Sequence, residues 1–178
     1  MKILKTILAF LVALFASAPL AHAAALPDGR LKDIVAEAKT WQGTPYRYSG
    51  DSRSGIDCSH FVFSIYQKAV PGFDYRMARE YLNDKNFAEA TPPMAGDLIV
   101  FPGYRGASDH VGIVTDPQSL KFIGAQTSTG VAETSFASKS YWGKRPYRVM
   151  HLKNLPATPA VELPVNLPQS EQKLVRPK

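Results

Sequence analysis

Two apolar periods divide this chain into blocks, and that division limits the folds open to it. Leu31, Ile34, Val35 and Ala38 recur at helical spacing, and Gly43 closes the segment, so a helix is expected over 30–43. A second helix is expected from Asp57–Ser59 onward. Phe61, Val62, Ile65 and Ala69 form its inner stripe, and Pro71-Gly72 ends it. A further short helix is expected within 74–88. The pattern then changes to compact apolar runs of strand length: Leu98-Ile99-Val100-Phe101, Val111 to Thr115, Lys121 to Gln126, and Tyr147 to Leu152. Helices first and strands later describe an α+β domain, with helices packed on an antiparallel sheet.

The two ends differ from this middle. Lys2 and Lys5 precede an apolar run from Ile7 to Ala16, and Ala21-His22-Ala23 supplies small residues before Ala24. Residues 1–23 are expected to be a cleaved secretory signal. The run is shorter than the about 20 residues a membrane span needs, and no cysteine stands near the cut for a lipid anchor. Residues 154–178 carry Pro156, Pro159, Pro164, Pro168 and Pro177 and no aromatic residue, and read as a flexible tail. The single domain is expected over 24–153. The destination is periplasmic or secreted.

Loss of Lys2 and Lys5 takes the formal charge from +6 to +4, a modest excess compatible with an anionic envelope. No arginine-rich run or aromatic-basic interleaving suggests nucleic acid. A monomer is expected, with no stable membrane anchor and neither metal nor cofactor.

Cys58 is the only cysteine of the 178 residues. It cannot form an internal disulfide, so in an exported chain it is either inert packing or a working thiol. Its place at a helix start favours a thiolate. Phe61, Val62 and Ile65 follow three, four and seven residues later, which sets it on the helix's inner face. A thiol hydrolase also needs a base. His60 lies roughly 200° around the helix from Cys58, and His151 falls at the end of the last strand, where a surface position is expected. His110 opens a strand behind a loop and is the favoured base. Strand parity puts Gln126 on a face His110 can reach, with 110 opposite 126 if the hairpin centres on Gln118, or diagonal to it if it centres on Pro117. The Gln126 carbonyl is expected to accept the imidazole N–H, or else to be an ordinary strand polar group.

The residues Gly43-Thr44-Pro45-Tyr46-Arg47-Tyr48-Ser49-Gly50, Gly55-Ile56-Asp57-Cys58-Ser59, Gly96-Asp97-Leu98 and His110-Val111-Gly112-Ile113 resemble, in order and spacing, the NlpC superfamily of papain-like cell-wall cysteine peptidases. The likeness runs from about Ile34 to Leu152. It implies a thiol protease with a papain-like NlpC-type fold, hydrolysing amide bonds in peptidoglycan stem peptides, often between D-γ-glutamyl and diaminopimelate. It implies Cys58 as nucleophile and His110 as base. Tyr46 matches an active-site tyrosine, and Asp57 and Ser59 match residues that help bind the peptide's amino end. Two positions depart from the pattern. His60 replaces the usual Gly after Asp-Cys-Ser, and Gly124 stands where a third polar residue, usually His, is expected. Alternatives on the same fold are an N-acetylmuramoyl-L-alanine amidase, an acyl transferase, or a weak or inactive peptidoglycan-binding protein.

Overall fold

The computed structural model describes residues 29–106 and 109–153. The expected leader and tail lie outside the described residues. Helix α1 (Arg30–Lys39) is followed by a short hairpin, β1 (Asp51–Ser52) and β2 (Gly55–Ile56), and then by α2 (Cys58–Ala69). A six-stranded antiparallel sheet completes the fold: β3 (Phe87–Glu89), β4 (Leu98–Phe101), β5 (His110–Asp116), β6 (Lys121–Gln126), β7 (Gly130–Ser135) and β8 (Arg148–Leu152). Its spatial order is β3-β8-β4-β5-β6-β7.

The expected α+β architecture is present, with three local differences. α1 stops at Lys39, not at Gly43, because Thr40 to Thr44 continue as tight turns bonded back onto Glu37, Ala38 and Trp41. The segment 74–88 forms only a 3₁₀ turn at Ala78–Leu82 before it becomes β3. The sheet gains β3 and β7 at its two edges, beyond the four apolar runs.

α2 begins where its sequence can cap it. Asp57 is extended, and its carboxylate accepts the His60 backbone N–H at 2.8 Å, a cap that contributes about 1 kcal/mol. Phe61, Val62 and Ile65 are fully buried, and each contributes roughly 1.5–3 kcal/mol by leaving water. They pack with Ile34 of α1 and with Leu98, Val100, Val111, Ile113, Ile123 and Met150 of the sheet. The other sheet face carries Ile99, Phe101, Val114, Phe122 and Val149, covered by Phe136 and Trp142. Alternation along each strand thus gives the sheet two separate apolar layers.

β5 and β6 pair Ile113 with Ile123 and Val114 with Phe122, followed by a bulge before Asp116. That register centres on Gln118. Extended along the strands, it sets His110 opposite Gln126.

Candidate active site

Cys58 occupies the first turn of α2, half-buried against the helix-side core. Its Sγ lies 4.0 Å from the Ser59 hydroxyl. Burial pushes its thiol pKa up and the Asp57 carboxylate adds to this, while hydrogen bonding to the Val111 backbone and to Ser59 opposes it. Loss of water around the sulfur thus works against the thiolate that a helix start favours.

Tyr46 packs against the same core as Cys58, on a loop pinned at several points. Gly43 N–H donates to Val131 O and Val131 N–H to Thr44 O, both at 2.8 Å, and Tyr46 bridges Ile56. Gly130 permits this approach. It has φ +71°, and any Cβ there would collide with Thr44 O.

His110 opens β5, on the sheet face opposite α2. Its ring stacks on Trp142, with centroids 4.4 Å apart and planes at 22°. Phe101 and Phe122 flank it, each 6.1 Å away. Nε2 is buried and has no hydrogen-bond partner. Burial first, and the nearby Arg145 charge second, lower the His110 pKa from 6.5 to about 3, so the imidazole is neutral at pH 7.

The expected bond between Gln126 and the imidazole is not formed. The Gln126 carbonyl accepts from Trp142 Nε1 at 3.2 Å, and its amide donates to Ala132 O at 3.1 Å. At Gly124, an added Cβ would stand 3.1 Å from His110 Nε2. The imidazole thus lies close against the spot where a third side chain was expected.

Cys58, His110, Tyr46 and Gln126 line one groove of about 590 Å³. Among the described residues, no hydrogen bond joins Cys58 to His110. A smaller hollow of about 160 Å³ beside Phe73 and Leu152 contains neither. His60 does not line the groove. Its Nδ1 faces Asp57 Oδ2 at 3.0 Å, and its ring lies 4.5 Å from that of Tyr75. His151, expected at the surface, is half-buried instead, with Nδ1 2.6 Å from buried Asp97. Sequence reasoning missed Tyr141, Trp142 and Arg145, which form the far wall. Their only signal was an unassigned aromatic and basic run, Tyr141 to Arg145. Among the described residues, no group of three or more His, Cys, Asp or Glu side chains could hold a metal ion.

Residues 43–151 match the model of the NlpC/P60 family. The chain belongs to this family. The NlpC/P60 chain is 34% identical over 134 residues to a protein named probable endopeptidase NlpC from Escherichia coli K12, covering 69% of this chain and 83% of that one. It is 32% identical over 112 residues to the probable peptidoglycan endopeptidase LytE of Bacillus subtilis, covering 63% of this chain but only 31% of LytE. Among solved structures, it resembles the NlpC/p60 domain of the peptidoglycan hydrolase SagA, with TM-score 0.50 and 31% identity over 67% of this chain and 97% of that one. A Bacillus cereus NlpC/P60 protein matches with TM-score 0.57 at 22% identity, over 71% of this chain and 40% of that one, a likeness of fold. The fold is α+β and papain-like, with two helices packed on the six-stranded sheet.

Proposed function

We propose that this NlpC/P60 chain is a cysteine-type peptidoglycan endopeptidase, with Cys58 as nucleophile and His110 as base. The observation that carries the reading is the meeting of the chain's single thiol and a neutral imidazole in one groove. The names of the peptidoglycan endopeptidase LytE and the peptidoglycan hydrolase SagA support the same substrate.

Both groups start uncharged. The imidazole takes the thiol proton as sulfur attacks the amide carbonyl, then returns it to the departing amine. Water hydrolyses the thioester, with the imidazole accepting its proton and passing it to the departing Cys58 sulfur, which restores the thiol and the neutral ring. Nε2 is sealed, so Nδ1 is the nitrogen left to exchange it. Catalytic contacts commonly tighten only once substrate is bound. Tyr46 lines the groove with Cys58, Asp57 and Ser59 flank the cysteine in sequence, and these three bind the peptide. The bond cut is D-γ-glutamyl–diaminopimelate. Residues 1–23 direct export to the periplasm or beyond and are removed, 24–153 form the catalytic domain, and 154–178 remain as a tail.

A weak or inactive peptidoglycan binder is the second reading, favoured by the missing Cys58–His110 bond. Mass spectrometry of muropeptides incubated with the protein and with Cys58→Ala separates them. New products with the natural protein alone support the peptidase. Identical products from both sink it, and the product masses distinguish an endopeptidase from an amidase.

A further inference from the structure

A base of this kind is ordinarily oriented by a third group that hydrogen-bonds its far nitrogen. In this chain that arrangement is replaced. Gly124 has no side chain to offer, and His110 Nε2 packs where one would begin. Gln126 sits at the right register, yet both ends of its amide are engaged elsewhere, by Ala132 O and by Trp142 Nε1.

The ring is nonetheless confined. Its face lies on the Trp142 indole, 4.4 Å away and tilted by 22°. Trp142 is itself held. Its N–H is bonded to Gln126, its ring packs on Phe101 at 4.7 Å and edge-on to Phe122 at 5.7 Å, and the Arg145 guanidinium lies 4.9 Å from its centroid. Gln126 links this assembly to the backbone of β7.

We propose that Trp142 is the positioning residue of this site: its indole face sets the plane of the His110 imidazole, and Gln126 acts by fixing the indole. The proposal rests on His110 being the base. A stacked ring differs from a hydrogen-bonded partner in one respect. It restricts rotation of the imidazole without accepting a proton, so it orients the base without raising its basicity. Gly124 then has a purpose, because a Cβ there would stand 3.1 Å from His110 Nε2, a contact tight enough that the stacked ring would have to give way.

Kinetics on soluble stem peptides test this with Trp142→Leu, Trp142→Phe, Gln126→Leu and the Trp142→Phe/Gln126→Leu double variant. Misplacing a catalytic group by about 1 Å costs about 100-fold. Trp142→Leu is therefore expected to lower kcat by about that factor with KM within about twofold. Trp142→Phe keeps an aromatic face and is expected to stay within about fivefold of the natural enzyme. Gln126→Leu is expected to cost about fivefold alone and nothing further in the Trp142→Phe background, because the N–H it holds is already gone.

A folded Trp142→Leu with unchanged kcat would overturn the proposal. So would a Trp142→Phe as impaired as Trp142→Leu, or a Gln126→Leu loss that persists in full in the Phe background. If Trp142→Leu does not fold, the cycle in the Phe background decides alone. Full turnover in His110→Ala would remove the base itself and this proposal with it. Loss there, with natural kinetics in every Trp142 and Gln126 variant, would overturn this proposal only.

Discussion

Both carboxylate oxygens of Asp57 are engaged by His60: Oδ1 accepts its backbone N–H at 2.8 Å, and Oδ2 faces its Nδ1 at 3.0 Å. Asp57 therefore starts α2 and also lies beside the sulfur of Cys58, the proposed nucleophile. The His60 ring is kept in place by Tyr75, 4.5 Å away. Replacing His60 by Gly keeps the amide that caps the helix and releases Oδ2. His60→Gly is expected to lower KM for stem peptides with a free amino end by about threefold, leaving kcat within about twofold, since a group that binds without reacting changes KM alone. An unchanged or raised KM would separate Asp57 from substrate binding.

Gly124→Ala is expected to lower kcat about tenfold, because the added methyl stands 3.1 Å from His110 Nε2 and displaces the ring. Thermal unfolding of the same variant shows whether the protein stays folded. Gly124→His, which imitates the family pattern, is expected to be worse, not better. Restored or enhanced turnover in Gly124→His would show that the ring has room to accept a partner.

The depressed pKa of His110 carries a pH dependence with a definite sign. The folded protein resists protonating this buried ring until about pH 3, whereas an unfolded chain takes up the proton near 6.5. Between those values the unfolded state binds more protons, so stability falls as pH falls. The loss begins above the range in which Glu37, Glu89 and Asp116, all with lowered pKa, start to titrate. Urea midpoints at pH 7 and pH 5 are expected to drop for the natural protein and to drop less for His110→Gln. Equal drops would mean that His110 is protonated in the folded state.

Asp97 is 1% exposed and holds two elements together. It accepts the Met94 N–H at 2.8 Å and contacts His151 Nδ1 at 2.6 Å, tying the turn before β4 to β8. Asp97→Ala leaves both partners short of an acceptor and is expected to cost about 2–3 kcal/mol in chemical denaturation. A change below about 0.5 kcal/mol, the usual range for a surface substitution, would show that water replaces the carboxylate.

Central elements were readable in the sequence because burial on both faces leaves continuous apolar runs, as in Leu98 to Phe101 and Val111 to Val114. The edges were not. β7, Gly130 to Ser135, buries only its first two residues, and β3 buries only Phe87. Neither carries enough apolar surface to announce a strand. The short helix expected within 74–88 is a 3₁₀ turn at Ala78–Leu82, after which the chain turns into β3 and Tyr81 meets Phe87 edge-to-face at 5.4 Å. Within the site, Cys58, His110 and Tyr46 were marked by residue type and spacing. Strand parity placed Gln126 on the correct face but could not name its partner, since Trp142 arrives from a 3₁₀ turn 16 positions later that follows neither period.

The sheet with two apolar layers has a bearing on how the protein fails under stress. Cys58 is anchored in the layer beneath α2, and His110 in the layer roofed by Trp142 and Phe136. The proposed nucleophile and base are therefore held by two different side-chain layers of one sheet. Loosening of either layer should let sulfur and imidazole drift apart while the rest of the chain is still folded. Heat inactivation should accordingly run ahead of melting, and a fault in either layer should reach the chemistry without touching the groove.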